Sequence, residues 1–224
     1  MNRIRKDFDR SAPIRIGAAN LIQEAILEGQ VVPGQEIPQL PLARSMGLSQ
    51  SSIREALQEL EYRGMIRKAG RSWKVTQLSE DEMADLYQVR ALLEPHACRL
   101  AAAHWNHAAG IELDACLVRM SKAAAQQDYR EHWSADIDFH QTIWRVQPNR
   151  FLERQLHMVC MPIFAHGVLH HTTILESSYR RSLRWHALIV ELLRTRDADR
   201  VARVVSRIIR RFHRLNLEDF RLGT

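Results

Sequence analysis

Residues 42–66, LARSMGLSQSSIREALQELEYRGMI, decide the fold of the amino-terminal third of the chain. Their apolar residues recur with the period of a helix, and that period breaks at Gly47, restarts after Ser49 and ends at Gly64. Glycine is common where helices end, and serine is common where they begin. The stretch therefore predicts two short helices joined by a tight turn.

Physical reasons favour a helix-turn-helix, with helices over about 39–46 and 50–63. Two helices cross closely only where a small residue such as Ala43 lies between their backbones, and Gly47 accepts the positive φ of the turn. Ile53 is apolar where the second helix meets the first, so it anchors that helix in the core. The polar start of the second helix then faces outward, where such side chains hydrogen-bond to bases and phosphates.

A basic hairpin follows the second helix. Residues 65–75, MIRKAGRSWKV, form two short strands around a turn at Gly70, with Trp73 and Val75 on one face. Basic residues beside the turn suit a wing that approaches a phosphate backbone or a minor groove. A three-helix cluster with no role in nucleic-acid binding is the alternative. The candidate DNA-contacting residues are Arg44, Ser49, Gln50, Ser51, Ser52, Arg54, Lys68, Gly70 and Arg71.

Composition and charge narrow the class of protein. The formal net charge of the 224 residues is +6, and residues 1–75 hold 12 Lys and Arg against 8 Asp and Glu. This excess indicates a polyanionic partner for the front of the chain, or a solubilising surface. No apolar run approaches the ~18 residues of a membrane span, and the first residues lack a secretory signal. The three cysteines show no CxxC spacing, so we expect reduced thiols in the cytoplasm.

Beyond the polar linker at residues 76–81, only helical periodicity remains. Ser79 and Glu82 have the spacing of a capping box, so a helix begins there. We predict a mainly α protein, with a winged helix-turn-helix and a small β-hairpin wing over residues 10–77 and an all-helical domain over residues 78–222. The predicted helices of the second domain are 80–104, 108–127, 128–147, 149–174, 178–195 and 197–219.

The run that begins with PGQEI and continues through residues 42–66 resembles the winged-helix domain of the GntR family of bacterial transcription regulators. The resemblance covers about residues 12–77 and is strongest from Arg54 to Gly64. It implies a homodimer that binds a double-stranded DNA operator, most often as a repressor. Gln50 stands where the family usually has arginine. Because glutamine favours adenine where arginine favours guanine, a shifted base preference is expected.

The helical domain resembles the FCD effector-binding domain of the FadR subfamily. This resemblance implies a bundle of six or seven helices around a cavity for a small organic acid, where many members hold a metal ion. Binding of that carboxylate-type effector is then expected to control operator binding. The matching segments are LYQVRALLEPHACRLAA (86–102), DIDFHQTIWRVQPN (136–149) and WHALIVELLRTRDADR (185–200).

A metal site is suggested by one carboxylate and two imidazoles. Asp136 and His140 lie at i and i+4 on one helical face, a spacing that can chelate an ion, and His186 lies where the family pattern places its next histidine. Together they can form a facial triad for Zn²⁺, Ni²⁺, Mn²⁺ or Fe²⁺. The family's last histidine corresponds to Ile208, and His213 is about 140° further around the helix and faces elsewhere. A metal-free polar pocket of the same three residues is the alternative.

Some residues of the helical domain have two possible roles, and the chain has alternative functions. His166 and His170, at i and i+4, are either a substitute ligand pair or surface residues. Arg90 is either a bidentate clamp for an effector carboxylate or the ion-pair partner of Glu94. Two other functions are alternatives, namely a metal-dependent enzyme and a DNA-binding protein whose effector pocket is inactive. The candidate effector-binding residues are Arg90, Asp136, His140 and His186.

Overall fold

The computed structural model describes residues 14–170 and 176–222, with side chains over 14–169 and 179–215. The described residues form nine helices and three short strands, and the predicted fold class is confirmed. The elements are α1 (Ile14–Leu27), β1 (Glu36–Ile37), α2 (Gln39–Met46), α3 (Gln50–Tyr62), β2 (Ile66–Ala69), β3 (Ser72–Val75), α4 (Glu80–Ala103), α5 (His107–Gln126), α6 (Tyr129–Val146), α7 (Arg150–His170), α8 (Glu176–Thr195) and α9 (Ala198–Leu222).

The contacts of the described residues divide them into two units. The winged unit comprises the residues up to Leu78 together with Met161–His170, and the helical unit comprises Ser79–Cys160 and the rest of the described chain. Ala165 of α7 is part of the apolar core of the winged unit. No helix in the described part of the chain is long and apolar enough to cross a membrane.

The turn between α2 and α3 forms as the sequence predicts. Gly47 has φ of 64°, and its backbone N–H donates to the carbonyl groups of the last turn of α2. The Ser49 hydroxyl then accepts a hydrogen bond from the Ser52 backbone N–H at 3.1 Å, which caps the start of α3. Ile53 and Leu57 are fully buried, so α3 is anchored in the core through this face.

The wing is a small antiparallel sheet with the strand order β1-β3-β2. In the hairpin, Ile66 lies opposite Val75 and Ala69 lies opposite Ser72, around the predicted turn. Trp73 and Val75 are buried, as the alternating pattern predicts. The strand β1 was not predicted; it adds only Glu36–Ile37 to the free edge of β3.

The helical unit begins with a capping box. The Ser79 hydroxyl accepts from the Glu82 backbone N–H at 3.2 Å, and the Glu82 carboxylate accepts from the Ser79 backbone N–H at 2.9 Å. The helix that starts there, α4, continues through Pro95 to Ala103. It packs along α9 and also contacts α6 and α8. These contacts allow side chains of α4, α6 and α8 to meet in the interior of the unit.

Candidate functional site

The surface of α3 presents polar side chains at its first turn. Gln50, Ser51 and Arg54 are exposed, whereas Ser52 is half-buried. The Ser49 hydroxyl lies 2.8 Å from that of Ser51 and 2.9 Å from that of Ser52, so these hydroxyls bind one another around the cap. The side chains of Gln50 and Arg54 extend from this end of the helix into solvent.

The remaining candidate DNA contacts are also at the surface of the winged unit. Arg44 and Arg71 are exposed, as is Gly70 at the tip of the hairpin. The Lys68 ammonium lies 5.7 Å from the centre of the Trp73 ring, so the wing holds this cation over an aromatic face. In the described part of the chain, Arg44, Arg54 and Arg71 form no ion pair with a carboxylate, so their guanidinium groups are accessible to an anionic partner.

A buried polar cluster lies in the helical unit. Asp136 and His140 project from α6 and His186 projects from α8, and one ligand atom from each lies within 4.8 Å of the others. All three side chains are buried. The structure thus brings together the three residues of the predicted site, although they come from two helices far apart in the sequence.

His186 is held by acceptors on both ring nitrogens. Its Nδ1 lies 2.8 Å from the backbone carbonyl of Ser182, and its Nε2 lies 3.0 Å from Oδ1 of Asp136. Burial opposes the charged form of His186, but the Asp136 carboxylate outweighs that cost, so the pKa of His186 is raised above its ordinary value. Burial likewise opposes the charged form of Asp136, but His186 outweighs it and lowers the pKa of this carboxyl. Each shift favours the charged form of its group, an imidazolium beside a carboxylate.

His140 is held by groups that determine its tautomer. Its Nδ1 lies 2.6 Å from Oε1 of Glu94, while its Nε2 lies 3.4 Å from both the Arg90 guanidinium and His186 Nε2. A carboxylate only accepts hydrogen bonds, and a guanidinium only donates them. In the neutral form these neighbours place the proton of the ring on Nδ1, and the Nε2 lone pair then faces the cluster.

The donor set fits a divalent metal ion. Each histidine has its Nδ1 against an outer acceptor, the two Nε2 atoms lie 3.4 Å apart, and His186 Nε2 also lies 3.0 Å from the Asp136 carboxylate. This is the arrangement in which metal-binding histidines are usually held, with an outer carboxylate or carbonyl group that fixes the ring. One carboxylate and two imidazoles suit Zn²⁺, Ni²⁺, Mn²⁺ or Fe²⁺ with open coordination positions. A proton on His186 Nε2 would compete with such an ion for the same lone pair.

No further histidine joins this trio among the described side chains. Ile208 is half-buried on α9. The ring of His213 stacks on Tyr87, with centroids 4.7 Å apart. His166 is buried on α7, and the side chain of His170 lies outside the described residues.

Arg90 forms the buried ion pair that was one of its two predicted roles. Its Nε lies 2.6 Å from Oε2 of Glu94, and both side chains are buried. Burial opposes the charge of Arg90, yet Glu94 more than compensates and raises its pKa. The i,i+4 spacing was sufficient to suggest this pair. The contact of Glu94 with His140 could not be predicted, because the two residues lie on different helices. The contact of His186 with the Ser182 carbonyl could not be predicted either, since every residue carries a carbonyl group.

Comparisons with known proteins match both parts of the chain. Residues 17–75 match the family described as bacterial regulatory proteins, gntR family, and residues 85–211 match the FCD domain. The HTH-type transcriptional regulator YieP of Escherichia coli is 26% identical over 216 residues, which cover 86% of this chain and 90% of that protein. The Glc operon transcriptional activator of E. coli is 30% identical over 164 residues, which cover 64% of this chain and 65% of that protein. Among solved structures, E. coli McbR/YncC shares the fold with a TM-score of 0.75 at 17% identity, over 93% of this chain and 99% of that one.

Proposed function

The chain belongs to the GntR family of bacterial regulatory proteins with an FCD domain, and on that basis we propose that it is a repressor whose operator binding is controlled by a small carboxylate. It is a DNA-binding transcription regulator and not an enzyme, because its families and relatives are regulators. We place its action in the cytoplasm, where bacterial DNA lies. The proposal is carried by one observation, the convergence of Asp136, His140 and His186 within 4.8 Å in the helical unit.

We assign operator recognition to residues 10–77. Gln50 and Arg54 enter the major groove from the start of α3, because their side chains are long, exposed and able to hydrogen-bond to base edges. Arg44 and the hydroxyls of the α3 cap contact phosphates, which suits the amino-terminal end of a helix. The wing contacts the flanking backbone through Lys68, Gly70 and Arg71. The hydroxyls of the α3 cap are those of Ser49, Ser51 and Ser52.

We assign effector binding and dimerisation to residues 78–222. A homodimer presents two copies of α3 to the two halves of a palindromic operator, so its two-fold axis matches that of the DNA. Repression requires only that the bound dimer occupy a promoter, and exposed unpaired cations at the DNA-binding surface supply the necessary affinity.

The proposed effector site is the buried cluster of the helical unit. Asp136, His140 and His186 would hold one divalent ion through one carboxylate oxygen and two Nε2 atoms. A bound ion supplies a Lewis-acidic centre whose open positions accept a carboxylate oxygen. Arg90 places a guanidinium nitrogen 3.4 Å from His140 Nε2, so it adds positive charge beside the same position. The effector of this site is therefore an anion with at least one carboxylate.

The regulator has two arrangements, one with high and one with low affinity for DNA. The effector changes DNA affinity because it binds these two arrangements unequally. A ligand shifts such an equilibrium only by the difference in its affinities for the two states, and couplings of about 1–3 kcal/mol are typical. A small carboxylate that prefers the arrangement with weak DNA affinity therefore releases the operator.

A panel of small carboxylic acids tests this function. Thermal unfolding is measured for the metal-loaded protein with each acid, and acids that raise the midpoint are added to protein bound to a labelled operator. We expect at least one acid to raise the midpoint and weaken operator binding, and we expect both effects to vanish in His186→Ala. If no acid in the panel shifts the midpoint of metal-loaded protein, the proposed control by a carboxylate is wrong.

A further inference from the structure

Glu94 of α4 lies behind the proposed metal site, and its contacts give it a role of its own. We propose that Glu94 is the positioning residue that holds His140 with its Nε2 lone pair directed at the ion. The inference rests on the proposed metal site and goes beyond it, because Glu94 contributes no ligand atom. It acts on the geometry of one ligand and thereby on the affinity of the site.

The two oxygens of Glu94 have separate partners. Oε2 accepts from Arg90 Nε at 2.6 Å, while Oε1 accepts from His140 Nδ1 at 2.6 Å and from Trp144 Nε1 at 3.2 Å. Since the side chain is 2% exposed, water does not compete for these contacts. One oxygen is thus engaged by the guanidinium, and the other is held in place by two N–H donors from α6.

This arrangement determines which nitrogen of His140 is available. In a neutral imidazole one nitrogen donates and the other accepts, and the acceptor of the first decides the tautomer. Glu94 Oε1 requires the proton on Nδ1, and the Arg90 Nη2 donor at 3.4 Å from Nε2 agrees with a lone pair there. Both neighbours of the ring therefore select the same tautomer, which is the one that can bind a metal ion through Nε2.

The support of His140 differs from that of His186. The Nδ1 atom of His186 lies 2.8 Å from the backbone carbonyl and 3.3 Å from the hydroxyl of Ser182, one turn earlier on its own helix. His140 depends instead on a carboxylate from another helix. A carboxylate partner also makes an imidazole a stronger ligand than a carbonyl partner does. A substitution at Glu94 therefore changes the hydrogen bond to Nδ1 of one metal ligand, His140.

Affinity for Zn²⁺ tests the proposal, measured by competition with a chromogenic chelator on the full-length chain. Glu94→Gln keeps the size of the side chain and removes its charge, and we expect the dissociation constant to rise about 10–100-fold. The control is Glu112→Gln, which makes the same change at an exposed carboxylate 3.7 Å from Arg145. We expect the control to bind Zn²⁺ as the wild type does.

The double variant Arg90→Gln/Glu94→Gln separates two effects of the carboxylate. If Glu94 positions His140, the double variant binds Zn²⁺ as weakly as the single variant, because the hydrogen bond to Nδ1 is still altered. Recovery of wild-type affinity in the double variant would mean that Glu94 only neutralises Arg90. Wild-type affinity in Glu94→Gln would also overturn the proposal.

A measurement on unaltered protein covers the case in which these variants do not fold. Nitrogen-15 spectra of histidine-labelled, metal-free wild type report the tautomer of each ring, and we expect His140 to carry its proton on Nδ1. A proton on Nε2 would overturn the proposal. Wild type that binds no Zn²⁺ would contradict the proposed metal site itself, whereas tight binding that is insensitive to Glu94→Gln would contradict only the role of Glu94.

Discussion

The buried pair of Asp136 and His186 predicts a stability that depends on pH when no metal is bound. The two side chains are 9% and 10% exposed, and Oδ1 of Asp136 lies 3.0 Å from Nε2 of His186. The perturbation is Asp136→Asn, which keeps the shape of the side chain and removes its charge. Loss of one partner from a buried ion pair costs about 3–5 kcal/mol, because the other charge is left uncompensated.

The sign of the pH effect follows from the pKa of His186. This pKa is raised in the folded state, so the contribution of the pair is fully present below the ordinary value of 6.5 and is lost as the pH rises through the folded pKa. The pKa of Asp136 is lowered, so its own contribution is lost only in strong acid. Between 6.5 and the raised pKa, the stability difference between wild type and variant should fall by about 1.4 kcal/mol per pH unit.

Denaturant unfolding of chelator-treated protein from about pH 5 to about pH 9 measures this difference in the free energy of unfolding. The matched control is Asp138→Asn on the same helix, where the carboxylate is 47% exposed and pairs with Arg119 at 2.6 Å. An exposed pair is worth about 0–1 kcal/mol, so the control should lose little. A difference between wild type and Asp136→Asn that stays constant, or grows as the pH rises, would refute the assignment of a buried imidazolium.

The DNA-contacting surface and the buried cluster of the helical unit can each be tested by other measurements. Arg54→Ala should weaken operator binding by about 1–3 kcal/mol per half-site without changing the free energy of unfolding. The control is Arg15→Ala, which removes the same charge from an exposed position on α1, and an equal loss there would argue for net charge alone. Protein purified without chelators should contain about one divalent ion per chain by elemental analysis. Zn²⁺ added to metal-free protein should release about one proton from His186, detected with a pH dye. His186→Ala should remove the effector response and leave operator affinity unchanged, whereas loss of both would indicate a structural role.

Most of the fold could be predicted because its helices begin and end at residues with specific chemistry. Gly47 adopts the positive φ that its turn requires, and Ser49 and Ser79 cap the helices that follow them. The strand β1 could not be predicted, because two residues are too few to show an alternating pattern. Its existence depends on the free edge of β3, which is a feature of the sheet and not of the local sequence.

The candidate metal site could be predicted only in part. The i,i+4 spacing placed Asp136 and His140 on one face, but the position of His186 required a resemblance to known proteins, because periodicity does not say which helices meet. The contact of Glu94 with His140 could not be predicted for the same reason. The i,i+4 spacing predicts the ion pair of Glu94 with Arg90, because both lie on one helix. It does not predict the contact with His140, which lies on another helix.

Selection from a pool of random duplexes tests the central claim most directly, since it asks whether the exposed start of α3 recognises DNA sequence. The full chain should enrich a palindrome whose half-sites lie about one helical turn apart. Arg54→Ala should lose much of its affinity for that palindrome, while Arg15→Ala should retain it. A chain that enriches no sequence even at low salt, or whose affinity is indifferent to Arg54→Ala, would contradict the account.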